Sequence, residues 1–129
     1  MSVLKTKKVY DLEERTAALG GAVIRFARRI PDTPVCRPLI TQLVRSATSV
    51  GANYCEADDA ESRRDFLHKI GICRKESRET KHWLRMVVVA APELRDEARG
   101  LWQEAKELNL IFNAIARATK SGAKTRGTE

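Results

Sequence analysis

Four polar residues stand where a helical bundle would ordinarily place leucine or a solvated charge: Asn53, Glu56, Glu76 and Glu79. Grouped carboxylates of this kind can supply acid/base chemistry, ligate a metal, or form a polar network that fixes helix register or a subunit contact. Acid/base catalysis needs a nucleophile or second catalytic group at hand, and none is placed beside these glutamates. No catalytic residue is assigned, and the chain is read as non-enzymatic. Metal binding has one suggestive spacing, Glu79-Thr80-Lys81-His82, and a loose echo in Asp65-Phe66-Leu67-His68. Di-iron bundles carry such a motif on each of two facing helices. Here both fall on one predicted helix, with His68 and His82 directed outward, so no metal and no cofactor are expected. A structural polar network is preferred: a buried carboxylate needs partners, and Arg45, Arg78 or Asn53 could supply them. Solvated glutamates are the competing reading.

The second chemistry is that of phosphate. Between Glu61 and Arg85 lie eight basic residues against four acidic ones. Arg63, Arg64, Lys69, Arg74, Lys75, Lys81 and Arg85 are the candidates for contact with a nucleic-acid backbone. Such contact would be sensitive to salt and weakly specific for sequence. A run of charge is also what a merely solvated helix face looks like. Neither a Gly-rich phosphate loop, a nucleophile elbow, a Cys/His pair at catalytic spacing nor a nucleic-acid recognition motif is present.

These residues must be positioned by helices. Asp11 is read as the cap of a first helix in which Leu12, Leu19, Val23, Phe26 and Ile30 recur at helical spacing. Gly20-Gly21 interrupts the pattern and suits a close helix approach, and Pro31 and Pro34 end it. A second helix starts near Pro38. Leu39, Leu43, Ala47 and Val50 form its apolar edge, beside small residues at Ser46 and Gly51. Residues 58–62 make a turn, and Ser62 with Asp65 resembles a capping box. The third helix carries the seam Phe66, Ile70, Cys73, Ser77, Thr80, Leu84, Val87 and Ala91, spaced by four and three as in left-handed helix packing. Pro92 stops it. Glu93, Asp96 and Glu97 open a fourth helix, with Ala98, Leu101, Ala105, Leu108, Phe112 and Ile115 on its apolar face. Four helices with short turns imply an all-α, antiparallel, up-down-up-down four-helix bundle over residues 10–119. A flexible segment over 1–9 precedes it and a disordered tail over 120–129 follows.

Composition agrees. One domain fits 129 residues, 43% hydrophobic and 32% charged. The formal net charge of +7 and pI of about 9.7 favour a polyanionic partner. Cys36, Cys55 and Cys73 are odd in number and lack C-x-x-C spacing, so they read as small hydrophobes in a reducing, cytoplasmic protein. No signal peptide is apparent, and the apolar run Met86 to Pro92 is far too short to span a membrane.

The runs Gln42-Leu-Val-Arg-Ser-Ala-Thr-Ser49, Gly51-Ala-Asn53 with Glu56, Arg74-Lys-Glu76-Ser-Arg-Glu79-Thr and Trp83-Leu-Arg85 resemble the four helix bundle protein family. Tyr10-Asp-Leu and Phe66 fit as well. This is also known as the 23S rRNA intervening-sequence protein family, and the resemblance covers about Tyr10 to Ile115. It implies a bundle that assembles into a ring, typically a homopentamer, with no enzymatic activity. A related branch looks like the basic accessory subunit of diversity-generating retroelements, which binds nucleic acid and the reverse transcriptase. The expectation is therefore an oligomeric, RNA- or DNA-binding scaffold. The alternative is a protein-binding adaptor.

Overall fold

Apolar residues recurring every three to four positions, with proline confined to the joints, leave the chain little choice but helices packed side by side. A computed structural model describes the backbone of residues 2–128 and the side chains of residues 11–122. The helices are α1 (Ser2–Ala27), α2 (Cys36–Asp58), α3 (Arg63–Ala90) and α4 (Arg95–Thr128), with a single 3-10 turn at Pro92–Leu94 before α4. Each helix packs on its neighbours: α1 on α2 and α4, α3 on α2 and α4. The diagonal helices stand farther apart and touch through core side chains, such as Tyr54 of α2 and Phe112 of α4 with ring centroids 6.3 Å apart, as in an up-down-up-down four-helix bundle.

The helix joints follow local chemistry. Ser62 is extended, and its hydroxyl accepts from the Asp65 N–H at 3.0 Å, capping α3 as expected. Pro38 sits in the first turn of α2, where its missing N–H costs nothing. The start of α1 differs from expectation. The helix begins at Ser2, so Asp11 lies exposed within it and caps nothing. No proline or glycine stands between Met1 and Gly20 to end the helix there. The backbone of α4 likewise runs helically through the predicted tail to Thr128. The expectations of flexibility over 1–9 and over the last residues fall outside the residues whose side chains are described.

The core holds Leu19, Phe26, Leu43, Ile70, Leu84, Leu108 and Phe112, all fully buried. The α3 seam is buried along its length from Ile70 to Ala91, and Phe66 packs half-buried at its end. Its small hydroxyls are satisfied within the bundle. Thr80 donates to the Glu76 carbonyl at 2.8 Å and bonds Ser46 Oγ at 3.0 Å, tying α3 to α2. The glycines bring α1 and α2 together: a Cβ on Gly20 would lie 3.6 Å from Thr48 Cα, and one on Gly51 3.4 Å from Thr16 Oγ1. Cys36 and Cys73 are buried as small hydrophobes, but Cys55 is exposed on α2, against the expectation for it.

Candidate nucleic-acid interface

The four polar residues do not form one network. Glu76 is buried on the flank of α3 that faces α2, and Glu79 lies half-buried one turn on. Arg45 of α2 reaches both, with Nη1 3.2 Å from Glu76 Oε1 and Nη2 2.6 Å from Glu79 Oε1. The hydrogen bond to Glu79, reinforced by the charge of Glu76, raises the Arg45 pKa above its ordinary value. Asn53 turns back on its own helix, donating to the Ser49 carbonyl and hydroxyl at 2.9 Å each. Glu56 pairs with Lys69 at 2.5 Å, a separate α2–α3 bridge. The physical reason is length: the Asn53 amide finds an acceptor one turn away before it can cross to α3. Of the two further partners expected for the glutamates, Arg78 is exposed and turned toward the other flank.

The basic candidates also divide. Lys69 shares the α2 flank with Glu76, and its bond to Glu56 raises its pKa. Unlike the other basic candidates, it is held in an ion pair between α2 and α3. Arg63 and Arg64 are exposed at the start of α3, and Lys75 is exposed on its outer side. Arg74, Lys81 and Arg85 lie on the opposite flank, toward α4. Arg74 Nη1 lies 3.5 Å from Asn113 Oδ1, and the Lys81 ammonium stands 5.5 Å from the centre of the Trp102 ring.

Two helices build this flank with one rule. On α3, the core residues Cys73, Ser77, Thr80 and Leu84 are each followed by a cation: Arg74, Arg78, Lys81 and Arg85. At the start of α4, Leu94 of the 3-10 turn and then Ala98, Leu101 and Ala105 of the helix are each followed by a residue of the same groove: Arg95, Arg99, Trp102 and Lys106. One step of about 100° past a core position places a side chain at the rim of a helix interface. Since α3 and α4 run antiparallel, the two rims meet. Lys106 joins Lys81 over Trp102, also at 5.5 Å, a cation–π arrangement. Asn109 closes the groove beneath, donating to the Arg74 carbonyl at 2.7 Å. From Arg74 to Arg85 the α3 rim runs about 16 Å.

The electrostatic contrast with the other flanks is sharp. Arg15 binds Glu104 and Glu107 between α1 and α4, Arg29 binds Glu97, and Arg45 and Lys69 hold α2 to α3. Among the described residues, no carboxylate pairs with Arg74, Arg78, Lys81, Arg85, Arg95, Arg99 or Lys106. These charges share a rim and repel one another. Among the described residues no carboxylate offsets them, and they leave the groove with an excess of positive charge.

At the Pro92 end, the groove opens into a cleft of about 550 Å³. Leu84, Val88, Ala98 and Trp102 give it apolar walls, with Arg85, Arg95 and Arg99 around its mouth. The sequence reading set Arg78 beside the glutamates and did not bring the α4 rim into this flank. The signal was available in the 4-3-4 spacing of Arg95, Arg99, Trp102 and Lys106. His68 and His82 are exposed, and no three His, Cys, Asp or Glu groups converge among the described residues. Among those residues too, no helix is long and apolar enough to cross a membrane.

Comparison with known proteins bears on this bundle in three ways. The family model described as 23S rRNA-intervening sequence protein matches residues 8–114, most of the chain. A crystal structure of a protein of unknown function from the S23 ribosomal protein family of Bacteroides thetaiotaomicron superposes with a TM-score of 0.74 at 24% identity. It covers 85% of this chain and 98% of its own, a likeness that shows the fold. No curated protein matches the chain.

Proposed function

The chain belongs to the 23S rRNA-intervening sequence protein family, and on that premise we propose that it is a non-enzymatic, oligomeric scaffold that binds the nucleic-acid backbone along the α3–α4 groove. The observation that carries the reading is the concentration of cations without a carboxylate there, while Arg15, Arg29, Arg45 and Lys69 at the other helix interfaces pair with glutamates of a neighbouring helix. Arginine and lysine in a row without carboxylates suit phosphates, and contacts of this type are indifferent to sequence. Assembly into a ring, the form that the family resemblance implies, would repeat the groove around an axis and strengthen its field.

The test is binding of unrelated RNA and DNA fragments across a salt series, on protein whose mass in solution is measured by light scattering. Steep weakening with salt is expected, on a particle several chains in mass. Replacing Arg74, Arg78, Arg85 and Arg99 together by glutamine should lower affinity for every sequence alike. The slope of log affinity against log salt should also flatten, by about 0.7–0.9 for each phosphate that is no longer neutralised. Lys69→Gln, on the opposite flank, should leave binding intact. No binding at low salt would overturn the proposal, and a monomer would remove its oligomeric part.

A protein-binding adaptor is the second reading. Val89 is 75% and Leu110 56% exposed, apolar surface that water does not favour. Capture of a partner that survives nuclease treatment would support it.

A further inference from the structure

Within the proposed phosphate-binding groove, the cleft at the Pro92 end has a chemistry that phosphate alone does not use. Its walls are Leu84, Val88, Ala98 and the half-buried indole of Trp102. Its mouth carries Arg85, Arg95 and Arg99, and no carboxylate lines it. A volume near 550 Å³ lies within the range of clefts that hold small ligands, about 300–1,000 Å³. A phosphate would gain nothing from the apolar walls. A duplex would keep its bases stacked and out of reach. An unpaired base with a phosphate on either side satisfies both parts of the site.

We propose that this cleft takes one unpaired base of a single-stranded polynucleotide, seated against Trp102, with the flanking phosphates held by Arg85, Arg95 and Arg99. This inference rests on the phosphate-binding reading above and narrows it to strands with accessible bases. Lys81 and Lys106, which stand over the indole in the free protein, have flexible stems. They move onto neighbouring phosphates as the base enters. Stacking on an aromatic ring is tolerant of base identity because every base offers a π face. Arginine reinforces it through its own planar guanidinium. The cleft therefore distinguishes single strand from duplex without distinguishing sequence.

The experiment uses the full chain and three probes of equal phosphate number: oligothymidylate, the same strand built from abasic sites, and a duplex. Oligothymidylate is expected to bind about tenfold more tightly than the abasic strand, the scale of one stacked base. It should also quench tryptophan emission, which the abasic strand should not. Trp102→Ala should bring oligothymidylate down to the affinity of the abasic strand and leave the abasic strand unchanged. Trp102→Phe, which keeps an aromatic wall, should retain the preference. The quenching is read on Trp83→Phe protein, whose emission comes from Trp102 alone, so the test holds even if Trp102→Ala fails to fold. Equal affinity for oligothymidylate and the abasic strand, absence of quenching, or tighter binding of the duplex would overturn the inference and leave phosphate binding standing. Failure of all three probes to bind would overturn phosphate binding itself.

Discussion

Replacing Arg45 by methionine should destabilise the bundle by about 2 kcal/mol, and by only about half as much when Glu76 has already been replaced by glutamine. The magnitude follows from exposure. The Glu76 side chain is only 11% exposed, that of Glu79 34%, and that of Arg45 45%. Breaking a fully buried ion pair by removing one partner costs about 3–5 kcal/mol, and an exposed pair contributes about 0–1 kcal/mol. Here one partner is buried and the other nearly half in water, so an intermediate figure applies. Arg45→Met strands the Glu76 charge against α2. Glu76→Gln removes that charge and keeps an oxygen that can accept from Arg45, so it should cost about 1 kcal/mol. The double variant should then cost about 2 kcal/mol instead of the additive 3, a coupling of about 1 kcal/mol. Glu79→Gln, closer to solvent, should cost about 0.5 kcal/mol. Urea denaturation at one fixed protomer concentration gives all four values, with the fixed concentration holding the contribution of association constant. Additivity of Arg45→Met and Glu76→Gln within about 0.3 kcal/mol would refute the reasoning. It would mean that water already solvates Glu76 and that the α2–α3 register is set by packing alone.

Alkaline pH should weaken the fold through Cys73. Burial pushes its thiol up from 9.0 to about 12. A group whose folded pKa is raised stabilises fully below its unfolded pKa and loses that contribution as pH rises toward the folded one. Stability should thus fall between about pH 9 and pH 12 by up to about 1.4 kcal/mol per unit. Cys73→Ala should cost stability near neutrality, with a penalty that shrinks above pH 9; a penalty independent of pH would contradict the account. Gly71 lies within α3 with open space where a Cβ would stand. Gly71→Ala should therefore stabilise by about 1 kcal/mol in a thermal melt, and a loss would reveal a second surface seated against that point. At Gly20 the room suffices for a methyl group, 3.6 Å from Thr48, but not for a long side chain. Gly20→Ala should be near neutral or slightly stabilising, whereas Gly20→Leu should drive α1 from α2 and cost more than about 1 kcal/mol by overpacking.

Periodicity alone fixed which residues would be interior. The α3 seam from Ile70 to Ala91 and the α4 face from Ala98 to Phe112 could be read directly, because burial of one face is a local, repeating demand on sequence. The Ser62 cap and the proline joints were legible for the same reason, since each acts within one turn. The family was legible too, in the polar runs of α2 and α3. Charge was not legible in this way. Lys69 and Arg74 look alike in sequence, yet one is neutralised by Glu56 and the other is left facing α4. The distinction depends on which helix stands across from each flank, which no spacing within α3 contains. Asn53 could have reached α3 by composition and instead bonds Ser49, because a short side chain meets its own helix first. The groove around Trp102 exists only where the rims of α3 and α4 run antiparallel and in register. The sequence by itself determined the bundle and its interior; the pairing of helix flanks decided which charges hold the bundle together and which remain free to meet a partner.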